Sequence, residues 1–481
     1  MKKLIVIVFI IFGAFLTLCL YKTFAYDTSV VEEVPSTTDL EYTFKIGNSS
    51  IKQITVDSGE TRYYDIVLGN PNNAKISYSV YYEMVSPSTK PDGYKIEYTS
   101  KSTGNSTGIV NNNGNITLNI VVTNTSSSSV TVKVGTVAGY VKGGELTLNS
   151  GQEVIPKRLT AAEYVMTLND NTSGDEGSGV YKIEHSAIPA SNSATGSEIP
   201  AVTDYRYYGP NPNNYICLDM EGGSTCPDKH LYRIIGSIYE EKENTNRIKL
   251  IKATPLTDGT TSAFSCDYTS SGSYSNIWAT ITSGNYSNSL TSGSTLMQLL
   301  NSGAWWNGTS GSYYNQSNTA TTVNFTNYKL SDKAKSYITT SRYYLGGFNN
   351  TPPLTNEMYG YERGILRYDT NRPLYWEGMV GLMYPSDYGY AAGNSCVNGT
   401  KLYDYNGYGN KDWLYISDIY QSLMSPYSGH FCSLFSVGYA GRVVIDNDVF
   451  EDLAVSPVFY LTSTTSIIDG DGSLNNPYIL K

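Results

Sequence analysis

A two-residue alternation governs the first third of the chain. Ile76, Tyr78, Val80 and Tyr82 alternate with Ser77, Ser79, Tyr81 and Glu83, Ile116, Leu118, Ile120 and Val122 repeat the period, and Val130, Val132 and Val134 repeat it again. Only a strand places residues i, i+2 and i+4 on one face, because a helix turns every 3.6 residues. Thr61–Leu68 and Tyr94–Thr99 read as further strands. Turn clusters fall between them at Gly69–Asn73, Pro87–Gly93, Gly104–Gly114 and Thr125–Ser129. Gly104–Gly114 reads as a loop tip. About seven short strands at this spacing predict an all-β, immunoglobulin-like sandwich over residues 41–157.

With 481 residues the chain exceeds one core, so a second domain is expected over residues 160–481. Thr160-Ala161-Ala162-Glu163 is a capping box opening a helix through Leu168. Asn169–Gly179 reads as a solvated acidic loop, with a bound cation as the other reading. Leu231–Tyr239, Arg247–Ala253, Gly441–Ile445 and Val455–Leu461 read as strands. Helices are expected near Leu296–Leu300, beside Trp305 and Trp306, and from Ser331 through Ile338. Trp413–Met424 reads as a third short helix or turn. The mixture predicts an α+β domain organised around Leu374–Ala392, LYWEGMVGLMYPSDYGYAA. Its apolar half, with Trp376, Met379, Val380, Leu382 and Met383, reads as a buried strand. Pro385, Ser386 and Asp387 then suggest a turn, and Tyr384, Tyr388 and Tyr390 line a rim loop beyond it.

Lys2 and Lys3 precede seventeen uncharged residues, Leu4–Leu20. A cleaved signal has an apolar core of about 7–15 residues and a spanning helix needs about 20, so residues 1–25 are either a signal peptide or a retained membrane anchor. Both place the bulk of the chain on the extracellular face of the membrane or in the medium. Residues 26–40 are polar and read as a linker. Net charge is −10, and no Lys/Arg-rich run follows the first residues, which argues against nucleic acid as a partner. Outside the targeting segment lie Cys217, Cys226, Cys266, Cys396 and Cys432. Export favours disulfides, and an odd number leaves one thiol over. Gly222 and Gly223 let the chain reverse between Cys217 and Cys226, which predicts that pair. Cys396 with Cys432 is the second expected bridge, leaving Cys266 over. The competing pattern joins Cys266 to Cys396.

Catalytic motifs are mostly absent: no H-E-x-x-H, C-x-x-C or phosphate-binding glycine loop occurs. No cofactor motif is present. His185, His230 and His430 lack metal-ligand spacing. His430 stands near Cys432, which suggests a Cys/His site, although export favours the disulfide. Asp469-Gly470-Asp471-Gly472 has half of a calcium loop, but its twelfth position is Leu480, which offers no oxygen. Glu357, Glu362, Asp369, Glu377 and Asp387 surround the central stretch. Paired carboxylates do acid–base work on glycans, whereas isolated ones near turns are ordinary solvated charges. Glu362, Arg363 and Arg367 suggest ion pairs supporting a loop.

Several segments together carry a resemblance. Asn211-Pro212-Asn213-Asn214-Tyr215 leads into Leu231-Tyr232-Arg233-Ile234-Ile235-Gly236. Tyr344-Leu345-Gly346-Gly347, the Gly381–Tyr390 block and the Asp469–Tyr478 ending follow in order. Over residues 205–481 this resembles uncharacterised exported proteins of Gram-positive-type bacteria. Their C-terminal domain is similar to C-type-lectin-like folds, including the formylglycine-generating enzyme. The resemblance implies two helices, a small twisted sheet and long loops presenting ligand contacts. The sugar-binding triplets Glu-Pro-Asn and Trp-Asn-Asp of calcium-dependent lectins do not occur, since Trp306-Asn307 is followed by Gly308.

Tyrosine occurs 44 times, and many tyrosines fall in loop-like contexts. Amphipathic rings stack on sugars or anchor protein partners, and they also fill irregular packing between loops. The leading expectation is a cell-surface binding or adhesion protein that meets a glycan or protein ligand through Trp376, Tyr384, Asp387, Tyr388 and Tyr390. The alternatives are an enzyme on cell-wall or sulfated glycans and a structural envelope component.

Overall fold

The computed structural model describes residues 43–46, 53–99, 101–140, 146–169, 174, 177–193, 196–267, 280–282, 285–287, 293–315, 317–365, 373–405, 411–427 and 432–481. The expected targeting segment, the linker, Arg367, Asp369 and His430 lie outside them. Among the described residues no helix is long and apolar enough to cross a membrane. The chain divides between Arg158 and Leu159 into two units.

Among the described residues the smaller unit is a β-sandwich of nine strands: β1 (Thr43–Ile46), β2 (Gln53–Val56), β3 (Glu60–Gly69), β4 (Ile76–Ser86), β5 (Tyr94–Tyr98), β6 (Thr107–Val110), β7 (Asn115–Asn124), β8 (Val130–Tyr140) and β9 (Gln152–Val154). One sheet runs β1-β3-β7-β5. The other runs β2-β8-β4-β6, with β9 also on β4. The alternating residues point inward: Ile76, Tyr78, Val80 and Tyr82 meet Ile116, Leu118, Ile120, Val122 and the valines of β8 in one core. Each such buried side chain contributes about 1.5–3 kcal/mol of transfer free energy. Gly135 faces Tyr81 across β4 and β8, and a Cβ there would stand 2.6 Å from the phenol ring, so glycine lets that ring lie flat over β8. β6 corrects the reading of Gly104–Gly114 as a loop tip. Its TGIV has Ile109 exposed and no apolar alternation, and the free edge of β4 recruits it.

The larger unit places α1 (Ala161–Thr167) after Thr160, whose side chain and Glu163 form the expected capping box. Strands β10 (Gly179–His185), β11 (Val202–Tyr208), β12 (Tyr215–Cys217), β13 (Leu231–Glu240) and β14 (Thr245–Lys252) follow, then two hairpins, β15 (Thr280–Thr282) with β16 (Asn285–Ser287) and β17 (Ser310–Tyr314) with β18 (Ala320–Asn324). Helices α2 (Thr295–Asn301), α3 (Ala304–Asn307), α4 (Asp332–Ser336), α5 (Thr355–Glu362), α6 (Pro385–Ala391) and α7 (Asn394–Gly399) are short. The remaining strands are β19 (Ile338–Thr339), β20 (Ser341–Tyr344), β21 (Tyr375–Gly378), β22 (Val380–Gly381), β23 (Gln421–Pro426), β24 (Ser433–Val437), β25 (Val443–Asp448), β26 (Val458–Leu461), β27 (Ile467–Asp469) and β28 (Tyr478–Leu480). The main sheet runs β19-β26-β14-β13-β12-β28-β27, with β11 on β13, β10 on β11 and β22 on β26.

Pro385-Ser386-Asp387 opens helix α6 instead of a turn, because Pro fits the first helical position and Asp387 reaches back to accept from Tyr384 N at 2.9 Å. Of the two readings of Trp413–Met424 the turn holds up to Tyr420, and β23 begins at Gln421.

Cys217 and Cys226 form a disulfide, with Cα atoms 5.8 Å apart across a sequence separation of 9. The second expected bridge is corrected: Cys266, Cys396 and Cys432 are buried thiols outside any disulfide. Cys396 sits in α7 within the core, while the Cys432 sulfur lies 3.4 Å from Asp448 Oδ1. The fold places one in α7 and the other just before β24, and forms no disulfide between them. The competing Cys266–Cys396 bridge is absent too, and the Cys266 sulfur faces Ser422 Oγ at 3.5 Å. Replacing Cys217 and Cys226 by serine should cost about 2–3 kcal/mol, the chain-entropy value for a loop of roughly ten residues. A urea midpoint shift at unchanged slope measures this, and an unshifted midpoint would contradict it.

Candidate functional site

β10 and β11 pair antiparallel, with Ile183 opposite Asp204 and Tyr181 opposite Arg206. β11 continues onto β13, where Arg206 faces Gly236. A Cβ at Gly236 would stand 2.3 Å from Tyr205 O, so only glycine lets these strands approach. β14 brings Lys249 alongside Gly236, and α5 and α6 close over this region.

The result is a buried, charge-balanced network. Asp204, Arg206, Lys249 and Asp387 are each no more than 2% exposed. Arg206 donates to Asp387 Oδ1 at 2.7 Å through Nη1 and to Asp204 Oδ2 at 2.8 Å through Nη2 and 3.2 Å through Nε. Lys249 Nζ donates to Asp387 Oδ2 at 2.5 Å and lies 4.5 Å from the Tyr384 ring centroid. Tyr239 N donates to Asp204 Oδ1 at 2.9 Å. Burial alone would raise the Asp204 carboxyl, but Arg206, then His185 and the Tyr239 amide outweigh it and hold the group well below the usual carboxylate range. Burial likewise opposes ionisation of Asp387, and Lys249 and Arg206 outweigh it.

His185 connects this network to solvent. Its Nε2 lies 3.0 Å from Asp204 Oδ2, and its ring stacks on Tyr359 at 3.8 Å with 6° between planes. Burial lowers its pKa, and Arg206 and Arg363 add to that against the pull of Asp204. Arg363 covers Tyr359 at 3.3 Å from the ring centroid, so the phenol is sandwiched and offers its edge and hydroxyl. Tyr390 closes the group, edge-on to His185 and 4.7 Å from the Arg206 guanidinium.

These three rings line a cleft of about 390 Å³, rimmed by Asn356, Asn394 and Asn398. At its lip Lys182 and Glu184 pair with each other at 2.5 Å. A second cleft of about 430 Å³ lies beside the Tyr420–Tyr439 ring pair and Asp418. It contains no comparable buried charge.

The residues expected to meet a ligand lie elsewhere than on an exposed rim. Tyr384, Asp387, Tyr388 and Tyr390 are at most 3% exposed and Trp376 is 6% exposed. Asp387 and Tyr384 belong to the ion network. Tyr388 donates to Gly441 O at 2.6 Å, and Trp376 packs on Tyr343. Tyr390 alone of the five borders the cleft. Asp204, Arg206 and Lys249 carry no signal in the sequence pattern, and His185 stands there only as a histidine without metal-ligand spacing. Among the acidic residues around the central stretch, Glu362 accepts from Ser386 N at 2.9 Å and pairs with Arg363 at 3.6 Å, as expected for a supporting ion pair.

No known protein family and no curated protein matches the chain in sequence.

Proposed function

We propose that the protein is an exported binding protein, held at the extracellular face of the membrane or secreted, whose larger unit takes a glycan or protein ligand in the His185–Tyr359–Tyr390 cleft. One observation carries this reading: a cleft of ligand size whose wall groups are fixed by a buried, fully paired ion network. Rigid polar groups at the edge of such a frame are what specific recognition needs. The Cys217–Cys226 disulfide supports an oxidising compartment. The C-type-lectin-like assignment of the larger unit and its kinship with exported Gram-positive-type proteins belong to the same proposal, on the segment order from Asn211 to Tyr478.

The His185–Asp204 pair favours one further reading, an enzyme in which this dyad acts as a general base on a glycan. A glycan and peptide binding screen with the full chain separates the readings. Ala187 is exposed and lines the cleft, so Ala187→Arg should reduce binding at least ~10-fold while stability stays within about 0.5 kcal/mol. Turnover without stable binding would favour the enzyme. Silence in both assays would leave the structural-component reading.

A further inference from the structure

We propose that the cleft takes the hydroxyl-rich ring of an uncharged glycan, with His185 Nδ1 accepting a hydrogen bond from a ligand hydroxyl, and that protonation of this imidazole ends binding in acid. The inference rests on the cleft being the ligand site.

Asp204 is ionised and accepts from Arg206 and Tyr239, so it can only accept from the imidazole of His185 as well. Nε2 therefore carries the hydrogen, and Nδ1 is a bare acceptor. No described residue donates to Nδ1, and His185 borders the cleft. A ligand meeting this edge must bring a donor. A hydroxyl, as donor and acceptor, does so; a carboxylate, sulfate or phosphate brings only acceptors and lone-pair repulsion.

The other wall groups point the same way. The hydroxyls of Tyr359 and Tyr390 make no hydrogen bond with a described residue, and burial raises both phenols so that they stay neutral. The carboxamides of Asn356 and Asn398 stand exposed at the rim. All offer both donor and acceptor character, which suits a polyol. The cations nearby are engaged: Arg206 by two carboxylates, Lys249 by Asp387, Arg363 by Glu362 and Tyr359 O, and Lys182 by Glu184. None of the three buried cations is left to bind an anion, and Lys182 at the lip is already paired. Because Tyr359 lies between His185 and Arg363, its faces are closed and recognition is by hydrogen bonds rather than stacking. The volume lies near the small end of ligand clefts, ~300–1,000 Å³, enough for about one or two sugar rings.

The charged and titratable groups facing His185 are Asp204 and Arg206 from β11, Tyr359 and Arg363 from α5, Tyr390 from α6, and Lys182 and Glu184 on its own strand. Once protonated, Nδ1 becomes a donor and the acceptor is gone.

The test titrates the full-length protein with neutral methyl glycosides of glucose, galactose, mannose and N-acetylglucosamine, and with glucuronate, galacturonate and N-acetylneuraminate, at pH 8, pH 5 and pH 4. A neutral glycoside should bind at pH 8, its uronate at least ~10-fold more weakly, and the neutral ligand should weaken as pH is taken on down to 4, the loss setting in below the ordinary imidazole range because burial lowers the His185 pKa. His185→Phe should lose the binding, and His185→Asn, which keeps an acceptor near Nδ1, should retain part of it. Uronates binding as well as neutral sugars at pH 8, or affinity flat from pH 8 down to pH 4, would overturn the proposal using wild-type protein alone. If such anion binding is still blocked by Ala187→Arg, the cleft remains the ligand site and only the selectivity is wrong. Glycoside binding that Ala187→Arg leaves unchanged overturns both, and no glycoside binding at all overturns this inference while the peptide screen decides the protein-ligand reading of the cleft.

Discussion

Replacing Asp387 with alanine is expected to destabilise the larger unit by about 3–5 kcal/mol, the cost of breaking a buried ion pair by removing one partner. Asp387 holds Arg206 through one oxygen and Lys249 and the Tyr384 amide through the other. Its removal leaves Arg206 with Asp204 alone. Lys249 keeps only the faces of Tyr384 and Tyr460, at 4.5 and 5.6 Å. A domain is stable by only about 5–15 kcal/mol, so the variant should melt far below wild type or fail to accumulate. Combining Asp387→Leu with Lys249→Met should recover much of the loss, because removing both ends leaves no lone charge at that position. Urea unfolding followed by near-ultraviolet circular dichroism measures all three proteins. An Asp387→Ala variant within 1 kcal/mol of wild type would show that the network is not what fixes these strands. Added salt should change the difference little, since buried pairs are weakly screened.

That network also explains which parts of the molecule were legible in the sequence. The sandwich was readable because each long strand has one apolar and one polar face, and period two then means burial. β10 and β11 were missed because in VTDYRYY the inward positions include Asp204 and Arg206. A pattern reader takes polar residues at i and i+2 as the solvent face. Lys249 hides in the same way between Ile248 and Leu250, in a strand buried on both faces. Only the tertiary pairing with Asp387, 138 residues away, makes its burial tolerable. The tyrosines of Leu374–Ala392 went wrong for a related reason. Two of them find a hydroxyl partner far along the chain: Tyr384 donates to Tyr344 O at 3.2 Å and Tyr388 to Gly441 O. A buried tyrosine with a satisfied hydroxyl is a core residue, and nothing local announces its acceptor. The helix start at Pro385 was present in the sequence, as Pro followed by Asp two residues on, but the same residues also write a turn. Cys217–Cys226 was legible because its loop is short and glycine-bearing, whereas the remaining thiols could be placed only by the fold.

Stability should fall as pH rises from about 4.5 to about 7, and Glu362 is the cause. Burial pushes its carboxyl up to about 7, against the pull of Arg363 and the hydrogen bonds from Ser386. In the unfolded chain the group titrates near 4.5. Between these values the folded protein keeps the proton and the unfolded chain releases it. The stabilisation is therefore complete below pH 4.5, declines through the interval and is gone above 7. A shift of this size corresponds to about 3 kcal/mol, at 1.36 kcal/mol per unit. His185 acts in the opposite sense, because its lowered pKa costs stability as pH falls below about 6.5, its ordinary value. The wild-type curve mixes the two, and the difference between wild type and Glu362→Gln isolates the carboxyl. Glutamine resembles the protonated form, since its oxygen can accept from the Ser386 amide as Oε1 does at 2.9 Å and its amine can donate to the hydroxyl. The variant should match wild type near pH 4.5 and exceed it by up to about 3 kcal/mol at pH 8. Denaturant titrations of both proteins at half-unit intervals follow the divergence. Parallel curves across that range would mean that Glu362 stays ionised beside Arg363 and accepts from Ser386 as a carboxylate, with no held proton needed to tie α5 to the start of α6.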